Sequence, residues 1–334
     1  MTKNHSYFIR ANGLFNLYQN VIQNKNYPHT SPESIPLSAL KNPMNLLPVS
    51  EVFKLYRELE LQTQDPDFML KAVTTFKVGQ LDPIGRWMFS SHDLMSTIRK
   101  VNFGMANIQS GSTWIASPTG SITKWCYKNR YNSGELTVHD SIRVAVFMNS
   151  ILKMYLGNKF TPMRIMFSGS RNSALYQEYF NCDIEWNHHQ TEIWFHSNVR
   201  TILKQHSQDN KQNLSLTFDD LDNFLNMPQP DDDTKIAYEL INYSCHFGLP
   251  TLSKVAELLG ISTQQLQRRF FKYGHNFSEI CGFVLSNKAV KLLTDSISIE
   301  DTAVLLGYSN VASFNQMFKK YRGITAVQFV KSLN

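Results

Sequence analysis

The sequence predicts two domains, an α+β N-terminal half and an all-α C-terminal domain built from two helix-turn-helix units. Residues 234–334 place apolar residues at three- and four-residue steps almost throughout, the period of a buried helix face. Residues 1–208 instead mix helical periodicity with short alternating runs such as "SITKWCYKNRY". Between them, "QDNKQNLSLTFDDLDNFLNMPQPDDDT" carries a proline pair and an Asp run, as interdomain linkers do. The charge divides along the same lines. Residues 1–208 hold 21 Lys/Arg against 14 Asp/Glu, residues 209–233 hold one against seven, and residues 234–334 hold 11 against six, giving +7, −6 and +5. The acidic linker is therefore assigned to 209–233, with Asp231, Asp232 and Asp233 also placed to favour the N-terminus of the next helix.

In the N-terminal half, helices are expected over residues 7–23, 50–63, 93–108 and 137–156, and strands in "SITKWCYKNRY", "MRIMFSG" and "EIWF". Within 140–156, Ile142, Val146, Ile151 and Met154 alternate with Arg143, Asn149 and Lys153. Core packing is the commoner use of such a stripe, but it is also the segment on which self-association is expected. Trp114, Trp125, Tyr127, Trp186 and Trp194 are expected to be core aromatics rather than pocket walls. No catalytic or metal site is expected. His188 and His189 have no carboxylate, Cys or third His at a ligand or triad spacing, and "FSGSRNS" lacks both a nucleophile elbow and a P-loop lysine. Cys126, Cys182, Cys245 and Cys281 are scattered, which predicts reduced thiols, and no cofactor is implied. No apolar run approaches the roughly 20 residues of a membrane span, and "MTKNHSYFIRANG" lacks a signal-peptide apolar core, so a cytoplasmic protein is expected.

The C-terminal segment begins with "TLSKVAELLGIS", which puts Leu252, Val255, Ala256 and Leu259 on one helix face and stops at Gly260, a left-handed helix end. Ser262 is the expected N-cap of the next helix, which buries Leu266 and Phe270. Its outward face carries Gln264, Gln267 and Arg268, then Lys272. Amide and guanidinium groups are the side chains that bond bidentately to adenine and guanine edges in the major groove. Arg269 falls on the shoulder between the faces, suited equally to an intradomain ion pair or a phosphate. The pattern then repeats. "ISIEDTAVLLGYSNVASFNQMFKKYRG" aligns at offset 47 through Ala256/Ala303 and Gly260/Gly307, and at offset 48 through Leu266/Phe314, Phe270/Phe318 and Tyr273/Tyr321. Two copies that independently meet the same Ala, Gly and apolar requirements make a much stronger signal than one. Between them, "FSEICGFVLSNKAVKLLTDS" fits one helix of about 25 Å, which can hold two recognition helices roughly one duplex turn, ~34 Å, apart.

These residues resemble the DNA-binding domain of the AraC/XylS transcription regulators, through "LSKVAELLGISTQQLQRRF" and "SIEDTAVLLGYSNVASFNQMFKKYRGITAVQF". The resemblance implies base contacts at Gln264, Gln267 and Arg268 in the first unit, and at Ser313, Asn315 and Gln316, beside Ala312, in the second. Lys272, Lys288, Lys291, Lys319 and Lys320 are the expected phosphate contacts. Gln316 stands where the family often has arginine, and Ala326 where its closing motif has proline, so the second helix is expected to bind bases less tightly. In the N-terminal half, "TQDPDFML", "VGQLDPIGRWMFSSHDLMSTIRK" and "TPMRIMFSGSRNSALYQEYFNCDIEWN" resemble the sensing domain of the ornithine-utilisation-type regulators of that family. This implies a small effector and a homodimer, with promoter DNA and RNA polymerase as partners. Two alternatives stay open at this stage: an N-terminal domain that only dimerises, and a DNA-directed repair enzyme, which would need a reactive cysteine set in the N-terminal half.

Overall fold

The computed structural model describes residues 6–28, 32–74, 83–131, 134–203 and 225–333. The chain divides into two compact units, Tyr7–Met227 and one that begins at Pro228 and runs to Asn334. Most of the acidic segment assigned to the linker, residues 204–224, lies outside the described residues. Its last part does not behave as a free tether. Met227 is buried, and Asp232 caps the first C-terminal helix by accepting from the Lys235 backbone N–H at 2.9 Å.

The N-terminal unit opens with β1 (Phe8–Arg10), not with the helix expected from residue 7. These residues are buried and pair antiparallel with β2 (Leu46–Pro48), and only after Gly13, at φ 77°, does α1 (Leu14–Ile22) begin. There follow α2 (Leu37–Lys41), α3 (Val49–Thr63), α4 (Phe68–Val73), α5 (Pro83–Met88) and α6 (Leu94–Gly104), the last capped by Asp93. A five-stranded sheet takes the order β3-β4-β7-β5-β6, where β3 is Ser112–Thr119, β4 Ile122–Asn129, β5 Arg164–Met166, β6 Asp183–Glu185 and β7 Thr191–His196. All pairings are antiparallel except β5 with β6. Along β4 the alternation buries Thr123, Trp125 and Tyr127 on one face. Trp114 joins Trp125 and Tyr127 in that core, whereas Trp194 lies half-buried under Lys124, 4.0 Å from its ammonium. Between β5 and β6 lies α8 (Leu175–Phe180).

The 20-residue helix α7 (Thr137–Leu156) is the central element, and its burial corrects the self-association reading. Ile142, Val146, Asn149 and Ile151 are all buried within the unit, so these positions of the stripe are spent on the core, and Met154 near the end of the helix stays partly exposed. A helix apolar nearly all round packs inside a domain. Asp140 on α7 accepts from Tyr127 Oη at 2.5 Å and from Arg143 Nη2 at 2.6 Å, locking the helix to the sheet.

The C-terminal unit is helical: α9 (Asp233–Ser244), α10 (Leu252–Leu259), α11 (Thr263–Lys272), α12 (Phe277–Thr294), α13 (Ile299–Leu305), α14 (Val311–Arg322) and α15 (Ala326–Leu333). α10 with α11 and α13 with α14 form the two helix-turn-helix units, and α12 spans between them over about 27 Å. No helix among the described residues is long and apolar enough to cross a membrane.

Candidate nucleic-acid interface

The first unit is built by local rules. α10 ends at Gly260 in the left-handed region, φ 64°, which returns its N–H to the Ala256 and Glu257 carbonyls. Ser262 then caps α11 as expected, and does so within a reciprocal capping box: Ser262 Oγ accepts from Gln265 N at 3.2 Å, and Gln265 Oε1 accepts from Ser262 N at 2.9 Å. Gln265 is thereby taken up by helix initiation. Leu266 and Phe270 point into the domain, Phe270 with its ring 6.2 Å from that of Phe277.

The opposite face of α11 carries Gln264, Gln267, Arg268 and Lys272, all exposed. Among the described residues Arg268 makes only a long contact, from Nε to the Gln264 carbonyl at 3.4 Å, and no carboxylate there holds its guanidinium. Phe271, which the sequence reading passed over, completes this face. It is 85% exposed and follows Gln264, Gln267 and Arg268 at steps of seven, four and three residues, the spacing of one helical stripe. The signal was present in the sequence: of the consecutive Phe270 and Phe271, only one can face the core. Arg269 is half-buried in a cleft with Asp233 and Tyr273 and makes no ion pair within 4 Å among the described residues. Tyr273 Oη donates to Asp233 Oδ2 at 2.9 Å and ties the end of α11 to the start of α9.

The second unit repeats the plan with different chemistry. Ser298 caps α13, Asn310 caps α14, and Gly307 takes φ 85° in the turn, where an added Cβ would lie 2.5 Å from the Leu249 backbone nitrogen. Phe314 and Phe318 are fully buried, at the positions of Leu266 and Phe270. Ser313, Gln316, Lys319 and Lys320 are exposed, with Ala312 beside them. Asn315 is not. It is half-buried, with Oδ1 closed off from solvent and no donor among the described residues, because it lies on the shoulder next to Phe314 and Phe318.

The connecting helix also redistributes the basic residues. Lys291 is exposed, but Lys288 is half-buried beside Glu239, Cys245 and His246, and burial lowers its amine below the usual lysine range. An exposed phosphate ligand was expected there. The reason is that α12 uses this side to pack on α9, with Ala289 and Val284 fully buried. One residue earlier, Asn287 donates from Nδ2 to Tyr238 Oη at 3.1 Å and accepts from Arg322 Nη2, so α9, α12 and α14 share one polar clamp.

Elsewhere, the structure brings His188 and His189 to Glu192, with ligand atoms within 4.8 Å of one another, a grouping the spacing did not reveal. Strand β7 turns Glu192 back toward the loop. Its carboxylate already accepts from Gln190 Nε2 at 2.6 Å and Trp194 Nε1 at 2.7 Å, two neutral donors that help to hold it low against the opposing effect of burial. The thiols of Cys126, Cys182, Cys245 and Cys281 are all free and all pushed upward by burial, the reverse of an activated nucleophile.

Comparison with known proteins bears on both units. Residues 34–200 match the family described as the arabinose-binding domain of AraC transcription regulator, N-term, and residues 255–332 match a helix-turn-helix domain. The HTH-type transcriptional regulator RipA of Corynebacterium diphtheriae is 30% identical over 117 residues, 35% of this chain and 34% of that regulator. An HTH-type transcriptional regulator of Mycobacterium tuberculosis is 30% identical over 81 residues, 24% of each chain. The chain thus matches about a third or less of the length of these curated relatives. Among solved structures, the transcriptional regulator CdpR from Pseudomonas aeruginosa aligns over 94% of this chain and 96% of its own, at 14% identity and a TM-score of 0.43. With the N-terminal family matched over half the chain and the helix-turn-helix domain following it, this chain belongs to the AraC family of DNA-binding transcription regulators.

Proposed function

We propose that this regulator reads promoter sequence chiefly through α11, with Gln264, Gln267 and Arg268 directed at base edges and Phe271 packing on a thymine methyl group. The observation that supports this is the stripe itself: four exposed side chains on one face of a capped helix, directly opposite the buried Leu266 and Phe270. Amide, guanidinium and aromatic groups are the ones that distinguish base pairs in the major groove. Helix α14 supplies a weaker second reading through Ser313 and Gln316, and Lys272, Lys291, Lys319 and Lys320 neutralise phosphates. In this reading a small effector held by the N-terminal unit biases which DNA-bound arrangement a homodimer adopts.

The test is a binding titration of residues 228–334 on fragments from the upstream regions of its own and neighbouring genes. The folded fragment is expected to bind at least one sequence specifically. Binding no sequence above background would overturn the reading of α11 and α14.

A further inference from the structure

The N-terminal unit contains a cavity of about 80 Å³ that opens to solvent and is walled mainly by Leu14, Leu17, Val73, Met88, Val146 and Phe147. It lies between two helical stripes. α1 contributes residues 13, 14, 17 and 20, and α7 contributes residues 143, 146, 147 and 150, each at the spacing of a single helix face. α7 is buried on almost every side. Over residues 138–152, the only ones that keep partial exposure are Arg143, Phe147 and Ser150, all three in the cavity wall. The gap thus lies against the three positions at which the middle of this helix is not closed over by the core.

The polar groups in the wall are few and mostly engaged. Ser150 Oγ donates to the Val146 carbonyl at 2.7 Å, and Asn20 Nδ2 donates to the Ala72 carbonyl at 3.0 Å. Asn12 also has an interaction within the protein. Arg143 is the one charged side chain in the wall, 19% exposed, with Nε and Nη2 anchored on Asp140 and Nη2 also on Gln109. Burial opposes its charge, and Asp140 together with Tyr56 and Tyr127 more than offsets that, so the guanidinium stays protonated and fixed in direction.

We infer that this cavity is the effector site, and that it takes a short, branched apolar chain ending in one oxygen-acceptor head, a carboxylate or an amide carbonyl, set against Arg143. A pentose does not fit this wall. Its several hydroxyls would meet aliphatic and thioether carbon, and a buried hydroxyl without a partner is unfavourable. The size sets a limit too: an apolar cavity of about 150 Å³ accepts benzene, so about 80 Å³ suits a chain of four or five carbons with its head toward the opening. This inference rests on the sensing role proposed above for the N-terminal unit, and the experiment separates the two.

The test uses the full chain and three probes at equal concentration: 4-methylpentanoate, 4-methylpentanamide and L-arabinose. Thermal unfolding is expected to move upward with the acid or the amide and to stay put with the sugar. Val146→Phe fills the cavity while keeping the arginine at 143, and is expected to weaken probe binding at least tenfold in a protein whose circular dichroism is native. Should that variant fail to fold, saturation-transfer NMR on the unaltered protein gives a second reading, with probe methyl signals expected to show contact. A shift with L-arabinose equal to that with the acid, or no shift and no contact with either branched probe, overturns the inference. A promoter titration with and without the bound probe then addresses the sensor. Binding without any change in DNA affinity would sustain the ligand site and sink the regulatory role given to it.

Discussion

Phe270 and Phe271 are adjacent in sequence and opposite in environment, 5% against 85% exposed. Replacing Phe270 by alanine empties a position packed against Phe277 and Leu266, and truncating a buried phenylalanine costs about 3–5 kcal/mol of stability. Replacing Phe271 removes a ring with almost no protein contact. The change in stability should stay within about 0.5 kcal/mol, as for other surface substitutions, and alanine's better helix propensity offsets part of any loss. On DNA the order reverses in kind. Phe271→Ala loses the burial of roughly one methyl-sized contact, about 1 kcal/mol or a fivefold weakening, confined to sites with thymine at the contacted position. Urea unfolding of both variants gives the stabilities, and a titration on one promoter site with a T-to-uracil exchange, which deletes only the methyl, gives the contact. If Phe271→Ala destabilises the protein as much as Phe270→Ala, the exposed face of α11 is covered by protein and the geometry argued for it is wrong. If the methyl deletion costs the unaltered protein nothing, Phe271 does not read thymine.

Arg268→Ala should leave folding intact, weaken specific binding by about 1–3 kcal/mol and relax preference at one or two base pairs; Gln316→Ala should weaken it less, and equal losses would refute the asymmetry between the units. Affinity should fall steeply with salt through counterion release at Lys272, Lys291, Lys319 and Lys320, with Lys288→Ala leaving the slope of log K against log salt unchanged because its amine is desolvated against α9. At Gly282 on α12 a Cβ would overlap the Tyr321 ring of α14, whose hydroxyl donates to the Ser278 carbonyl at 3.1 Å. Gly282→Ala should therefore cost about 1–3 kcal/mol and shift α14 against α12, so specific DNA affinity drops more than non-specific affinity; an unchanged ratio counts against it. Burial, then the nearby Lys288 charge, lowers His246 to about 4 from its ordinary 6.5. The unfolded chain takes up a proton that the folded chain refuses, so this contribution is complete above pH 6.5 and is lost as pH falls toward 4, by at most about 3 kcal/mol. His246→Gln should flatten that part of the stability profile measured by urea unfolding, and an identical acid limb would disprove the assignment.

The helix-turn-helix units were legible because their signals are local. Gly260, Ser262 and the three- to four-residue spacing of Leu266 and Phe270 decide the turn, the cap and the buried face within a dozen residues, and the exposed position of Arg268 follows from the same periodicity. The duplicate at Gly307, Phe314 and Phe318 repeats the rule. In the N-terminal unit the helix over residues 137–156 was equally legible as a helix, and its fate was not. Periodicity tells which residues share a face but not what that face meets, so a stripe open to either core packing or self-association became the middle of a core once the sheet closed over one side and α4 over another. The same limit explains Lys288, drawn inward by the packing of α12 on α9; Asn315, turned to a shoulder; and β1, pulled out of a helical pattern by pairing with a strand some 38 residues away. Cavities are the extreme case. The space bounded by Leu17, Val73, Met88, Val146 and Arg143 exists only because helices distant in the chain pack together without filling it, and no local pattern of residues encodes a volume left empty.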